Sequence, residues 1–395
     1  MAANLEVDLI IDSIRKVIDH QGEKVPLHAP EFMGNEWAYV KDCLDTGWVS
    51  SVGQYVDRFE RMLEEFTGIP HAVAVVNGTA ALHIALKLGG VEAGDEVLVP
   101  DLTFVATANA VSYIGAVPHF VDVDMRTLGL DPYKLGDYLS EISAVKDGSC
   151  WNRQTGRRIK AVVPMHTFGH PVDLDPLVEV CRKFQLEMIE DAAESLGSYY
   201  KGKHTGSFGK LSALSFNGNK IITTGGGGAI LTHDANLARR AKHLTTTAKL
   251  PHAWEYVHDE IGYNYRLPNI NAALGCAQME HLPSFIEQKR QLAEAYREEF
   301  SGKPGFTFVV EPGYARSNYW LNAIMLDDDN QDMRDEVLRR LNEAGLMSRP
   351  AWTLMHQLEM FRNCPAMDMT AAVSIARRLV NIPSSAGLAK RRHGS

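Results

Sequence analysis

The sequence is short of the features that mark several large classes of protein. Its 395 residues hold five cysteines, Cys43, Cys150, Cys181, Cys276 and Cys364. The number is odd and no two lie close together, which excludes a disulfide framework and a zinc-ligand spacing. Reduced thiols in a cytoplasm fit better, and no metal site is expected. No apolar run reaches the length that spans a bilayer. The stretch from Met1 to Asp8 is acidic where a signal peptide is basic, so a soluble cytoplasmic chain is the expectation. Positive charge is scarce too. The formal net charge is −9, which argues against non-specific nucleic-acid binding. The one basic run, Lys390-Arg391-Arg392-His393, reads as a frayed tail. Internal repeats are lacking, as are a Walker loop, His-Glu-x-x-His, Gly-x-Ser-x-Gly and a Gly-x-Gly-x-x-Gly fingerprint. The last absence sets aside a Rossmann dehydrogenase.

What is present is ordinary globular material in unusual order. Hydrophobic residues make up 45% of the chain, enough for a large core, and the length implies two domains. Residues 5–20 read as an amphipathic helix with Val7, Ile10, Ile14, Val17 and Ile18 on one face, packing on the body or on a partner subunit. Residues 21–30 read as an extended linker. From about residue 35 helices and strands alternate. Helices are expected over 35–45, 57–66, 79–88 and 174–184, with a loop and helix over 101–113. Strands are expected over 71–76, 96–99, 117–123, 159–164, 186–189, 211–216 and 228–232. Several of these strands are continuously apolar, as in a sheet covered on both faces. The reading is an α/β domain with a mostly parallel sheet. After about residue 250 the pattern changes to an α+β one: helices over 284–300, 334–344 and 369–380, strands over 306–310 and 321–325. The division expected is an N-terminal helix and linker over 1–30, a large domain over 31–255 and a small C-terminal domain over 256–395.

Four segments carry chemistry-bearing residues at the carboxyl ends of expected strands, where open α/β sheets bind ligands. In Leu211-Ser-Ala-Leu-Ser-Phe-Asn-Gly-Asn-Lys220, a strand gives way to a small polar turn and then a lysine. A lysine desolvated there becomes a nucleophile. In Leu186-Glu-Met-Ile-Glu-Asp-Ala-Ala-Glu194, a strand delivers Glu190 and Asp191. An aspartate there suits a protonated pyridine nitrogen. In Val75-Val-Asn-Gly-Thr-Ala-Ala81, Gly78 turns a strand into a helix whose first amides suit a phosphate. In Pro100-Asp-Leu-Thr-Phe-Val-Ala106, Phe104 is placed to stack on a planar ring. Taken singly, each has a plain structural alternative: a surface lysine, a helix cap, an ordinary turn, a core phenylalanine. Their order is what points to pyridoxal phosphate (PLP).

With these residues in hand, the chain resembles the DegT/DnrJ/EryC1/StrS family of sugar aminotransferases. The matching motifs are Asn77-Gly-Thr-Ala-Ala-Leu82, Pro100-Asp-Leu-Thr-Phe-Val-Ala-Thr107, Glu190-Asp-Ala-Ala-Glu-Ser-Leu-Gly197, Ser215-Phe-Asn-Gly-Asn-Lys220, Gly225-Gly-Gly-Gly228 and Gly262-Tyr-Asn-Tyr-Arg-Leu-Pro-Asn269. The resemblance covers roughly residues 30 to 390. The LegC-type subgroup matches best, through Pro26-Leu-His-Ala-Pro30, Gly47-Trp-Val-Ser-Ser-Val-Gly53, Asn318-Tyr-Trp-Leu-Asn322 and Arg349-Pro-Ala-Trp352. The resemblance implies fold-type-I architecture, with a seven-stranded sheet in the large domain. It implies that Lys220 is the Schiff-base lysine and proton shuttle, that Asp191 holds the pyridine nitrogen, and that Phe104 stacks on the ring. Gly78, Thr79 and Ala80, with Ser215, are implied to bind the phosphate, and Asn264 to complete that site from the partner chain of a homodimer. Tyr265 and Arg266 of the same segment are implied to reach substrate. Glu194 stands where many relatives carry Gln or His near the ring hydroxyl, a departure that puts this contact in doubt.

The implied reaction moves an amino group from glutamate to C4 of a UDP- or GDP-linked 4-keto-6-deoxy-N-acetylhexosamine, toward a surface-glycan amino sugar of legionaminic acid or bacillosamine type. Trp48, Val49, Ser50, Trp320 and Trp352 are candidates for lining the sugar pocket, and simple packing accounts for each equally well. The rivals are another PLP reaction such as elimination on a sugar, and a non-catalytic binding protein of the same fold. The presence of Lys220 argues against the dehydratase variant, which carries histidine there. A tethered DNA-binding module would favour the binding protein, and none fits in this length.

Overall fold

The computed structural model describes residues 2–18 and 24–388, with side chains from residue 7 onward. The basic run at 390–393 and part of the expected linker lie outside the described residues. Seven strands form the main path of the large sheet, in the order His71–Val75, Gly228–Thr232, Leu211–Ser215, Glu187–Asp191, Arg158–Val162, Glu96–Pro100 and Val117–Val121. Gly228–Thr232 runs antiparallel to both neighbours, and the other six point the same way. The sheet is therefore mostly parallel, as expected. A hairpin of Ser143–Lys146 and Ser149–Asn152, unforeseen in the sequence, attaches through Arg158–Val162.

The strands are buried on both faces, which explains their continuous apolarity. Along His71–Val75, Val73 and Val75 join the core on one side of the sheet, and Ala72 and Ala74 join the other. The first side is covered by the helices Gly78–Leu88, Val105–Tyr113 and Ala235–Thr245, the second by Gln54–Thr67 and part of Asn269–Phe300. This is the period-2 alternation of a strand, with both partners apolar.

A second, antiparallel sheet orders Phe306–Phe308, Asn322–Leu326, Leu379–Ile382 and Arg349–Pro350. Its core contains Val7, Ile10, Ile14 and Val17 of the N-terminal helix Ala2–Val17, and Ile18 just after it. That helix packs on its own chain, the first of the two fates open to it. Two expectations are corrected. The stretch read as one helix over 369–380 divides into the helix Thr370–Arg378 and the strand Leu379–Ile382, because the Leu-Val-Asn-Ile run has partners on both sides. The helix expected to start at residue 284 starts at Asn269 and runs to Phe300, passing through Pro283.

This long helix crosses the molecule. Ala272, Ala273, Cys276, Met279, Leu282 and Phe285 belong to the large-sheet core, while Leu292, Ala293, Tyr296 and Phe300 belong to the small one. Gly275 lets it approach the sheet. A Cβ there would lie 2.7 Å from Phe59 Cε2 and 2.8 Å from Thr224 Cγ2. Gly275→Ala should gain about 1 kcal/mol of helix propensity. Overpacking should cost roughly 1–3 kcal/mol and outweigh it. Urea unfolding is expected to show a net loss; a net gain would mean that Phe59 yields freely.

Candidate active site

Carboxyl ends of the parallel strands converge on one cavity of about 340 Å³. Its lining includes Gly78, Thr79, Phe104, Asp191, Glu194, Ser215, Lys220, Trp320 and Trp352, all named from sequence. It also includes Asn77, Thr107, Met165, Asn217 and Asn219, which were not assigned a role.

The turn carrying Lys220 is built by hydrogen bonds from Lys220 N to Asn217 O (3.0 Å), Thr224 N to Phe216 O (3.0 Å) and Phe216 N to Gly227 O (2.8 Å). Buried Ile221 and Ile222 anchor it to the core beneath. The lysine is thus no surface residue; its side chain is 13% exposed. Its Nζ lies 3.3 Å from Glu194 Oε1 and 3.9 Å from the centroid of the Trp320 ring.

The glycine run behind it serves a close approach. A Cβ on Gly228 would sit 2.5 Å from the Asn77 carbonyl carbon and 2.7 Å from Gly78 N, both backbone atoms. A Cβ on Gly78 would in turn sit 2.8 Å from Ser215 Cβ. These contacts bring the N-terminus of Gly78–Leu88 beside the Ser215 hydroxyl. Asn77 caps this helix, accepting from Ala80 N at 2.7 Å. Ala80 is therefore corrected as an anion-binding amide, since its N–H is already engaged. The Gly78 and Thr79 amides belong to the first turn, where no helical carbonyl can receive them.

Two adjacent carboxylates of one strand meet opposite surroundings. Glu190 accepts from Gly206, Phe208 and Gly209 amides at 2.7, 2.6 and 2.7 Å, and from His166 Nε2 at 3.0 Å. Val172 N donates to His166 Nδ1, which puts the ring proton on Nε2. Burial alone would raise the Glu190 carboxyl, but His166 and these amides hold it below the usual carboxylate value. Asp191 faces the cavity. It accepts from Thr107 Oγ1 at 2.8 Å and Ala193 N at 3.2 Å, and the Thr107 hydroxyl is itself braced by Thr103 at 2.9 Å. Burial pushes its carboxyl above the ordinary value, opposed by the Thr107 bond. No helix follows it, so the capping alternative fails. Phe104 is no core residue either: it is 52% exposed and lines the cavity.

Other candidates lie elsewhere in the single chain. Trp48 and Val49 are exposed, and the backbone carbonyls of Trp48 and Ser50 accept from Asn269. Arg266 is buried against Glu60 at 2.7 Å and Ala74 O at 2.9 Å. Tyr265 stacks on Tyr263, and Asn264 is exposed, bridging to Thr246.

Glu194 is the third carboxyl of the region. Phe168 N donates to its Oε2 at 2.9 Å. Burial pushes its carboxyl up to about 7, with the Lys220 ammonium pulling the other way. A raised carboxyl holds its proton more tightly folded than unfolded. Stability is thus lost as pH rises from the unfolded value toward about 7. Glu194→Gln lacks this loss, so its stability relative to the native chain should improve between about pH 5 and about pH 8, by at most about 3 kcal/mol. Urea unfolding of the ligand-free proteins across that range is the measurement, and a pH-independent difference would refute it.

The profile of the DegT/DnrJ/EryC1/StrS aminotransferase family matches residues 31–393. The chain is 37% identical over 368 residues to a GDP-perosamine synthase of Caulobacter vibrioides, covering 92% of this chain and 94% of the relative. It is 36% identical over 360 residues to a GDP-perosamine synthase of Escherichia coli O157:H7, covering 91% and 93%. Among solved structures, the aminotransferase TlmJ of Streptoalloteichus hindustanus superposes with a TM-score of 0.82 at 27% identity, over 91% of this chain and 93% of that one. The chain belongs to the DegT/DnrJ/EryC1/StrS aminotransferase family and is a PLP-dependent aminotransferase.

Proposed function

We propose that this enzyme transfers an amino group from glutamate to C4 of a nucleotide-linked 4-keto-6-deoxy sugar, supplying an amino sugar for a surface glycan. The observation that carries the reading is the meeting of Lys220, Asp191 and the Gly78–Ser215 cradle in one cavity. Two relatives, both GDP-perosamine synthases, favour a GDP-linked substrate over a UDP-linked one. The LegC-like motifs favour an N-acetylhexosamine of the legionaminic acid or bacillosamine type.

The residues fit PLP. The Gly78 and Thr79 amides and the Ser215 hydroxyl suit its phosphate, in a cradle that a Cβ at Gly78 would fill. Asp191, buried and oriented by Thr107, suits the pyridinium nitrogen. Phe104 and Trp320 offer apolar faces. Bound there, PLP supplies the electron sink that accepts charge when a proton leaves the carbon bearing the amine. Lys220 would be the covalent anchor, and its free amine would move a proton as general acid and base. Asp191 would hold the ring nitrogen by placing a negative charge beside it.

The exposed Trp48, Val49, Val52, Trp254 and Tyr256 support a homodimer, in which Asn264, Tyr265 and the Trp48–Ser50 segment act on the partner's cavity. Arg266 then acts through its pair with Glu60 rather than on substrate.

The test is the absorption spectrum of the PLP-loaded protein. Glutamate should replace the visible band with a near-ultraviolet one, and a keto sugar nucleotide should restore it. Lys220→Ala should lose at least roughly a thousandfold in turnover, the scale expected when a proton carrier that is also the covalent group is removed. A loaded native enzyme whose band ignores glutamate would sink the donor assignment. A native protein that binds no PLP would sink the placement of the site.

A further inference from the structure

Two side chains at the tip of Lys220 are held more firmly than packing requires. Trp320 is fixed at three points. Its Nε1 donates to Asn219 O at 2.7 Å, its N donates to Asn318 Oδ1 at 2.8 Å, and its carbonyl accepts from Lys289 Nζ at 3.1 Å. Lys289 is a wholly buried lysine whose ammonium also binds Ser384 O. Glu194 is fixed by Phe168 N at Oε2 and by Asn318 Nδ2, which donates to its backbone carbonyl at 2.9 Å. One side chain, Asn318, thus ties the backbone of Trp320 to that of Glu194.

The backbone is distorted on both sides of this arrangement. Phe168 has φ 56° and Tyr319 has φ 48°, left-handed values that an aromatic side chain disfavours. Phe168 is the residue that gives its amide to Glu194, and Tyr319 immediately precedes Trp320. Such conformations persist only where the surroundings over-determine them. Gly169 contributes, since a Cβ there would fall 1.9 Å from Asn318 Oδ1.

We propose that Glu194 and Trp320 form a holding site for the free amine of Lys220, in the part of the cycle when that amine is not bonded to the cofactor. The proposal rests on the reading of Lys220 as the cofactor-bearing residue. A released lysine is a flexible chain ending in a hydrated point charge, and unrestrained it would leave the reacting carbon. Here the ammonium meets the negative face of an indole on one side and a carboxylate oxygen on the other. It is held at the cavity wall. Among the described residues, Asp191 and His28 also feel the charge of this amine. Burial, then the charges of Lys289 and Lys220, keep His28 neutral, so Glu194 and Asp191 are the facing anions. Glu194 and Trp320 are positioning residues that act through Lys220.

The test is competitive acetylation of cofactor-free protein with trace acetic anhydride across pH, read by peptide mass spectrometry. Lys220 is compared with the exposed Lys146. The midpoint of the profile reports the Lys220 amine's own pKa, and its plateau reports access alone. Glu194→Gln should lower the midpoint by about one unit, seen as about tenfold faster labelling at neutral pH. Trp320→Leu should lower it severalfold less, and Trp320→Phe, which keeps a ring face, should stay near the native chain. If the variants change only the plateau, or change nothing, the holding site is refuted. Should Trp320→Leu fail to fold, Glu194→Gln and Trp320→Phe carry the same comparison. PLP binding by the native protein is measured alongside. Failure there counts against the site's function, whereas intact binding with unmoved midpoints counts against this inference alone.

Discussion

The cavity depends on a place where backbones touch with nothing between them. Gly228 lies against the Asn77–Gly78 peptide, and Gly78 lies against Ser215. Each contact needs a hydrogen where any other residue has a carbon. Because the strand Gly228–Thr232 runs against its neighbours, its first residue meets the carboxyl ends of theirs. That is how a helix N-terminus, a serine hydroxyl and the lysine turn come to share a wall. The arrangement is steric before it is chemical, and the amides and hydroxyl are available to an anion because the chain has been brought this close.

On that frame, charge is sorted by local hydrogen bonding. Glu190 and Asp191 are neighbours on one strand and point to opposite faces, as a pleat requires. Glu190 faces three amides and a histidine and stays ionised as a structural tie. Asp191 faces the cavity with one hydroxyl and one amide, leaving capacity for a further donor. Glu194, with one amide and one ammonium, has its carboxyl raised by burial to about 7. Three carboxyls within five residues thus differ in character: four donors hold Glu190 low, while Asp191 and Glu194, with two each, are raised by burial.

Much of this was legible in the sequence. Strand ends, the Gly78 turn, Asp191 and Lys220 fall where the alternation of apolar runs and small polar turns predicts. Thr107 was within a quoted motif yet unassigned, because a hydroxyl's partner across 84 residues leaves no local trace. Lys289 and Asn318 were equally invisible in their roles, since both act through backbone carbonyls distant in sequence. Residues 269–283 of the long helix were not expected to be helical, and the helix runs on through Pro283. A proline suits a helix's first turn, and only packing on both cores carries the helix through it. The first two residues of the strand Leu379–Ile382 were absorbed into the preceding helix, because a four-residue Leu-Val-Asn-Ile run is too short to declare its period.

The helix Asn269–Phe300 gives both cores a common spine. Its first turns are sealed among the strands of one sheet and its last among those of the other, with Lys289 at the crossing. Two bodies joined this way share a helix as well as loops, so a relative motion of the two has to bend that helix, and Pro283, which removes one hydrogen bond from its ladder, is where such a bend costs least.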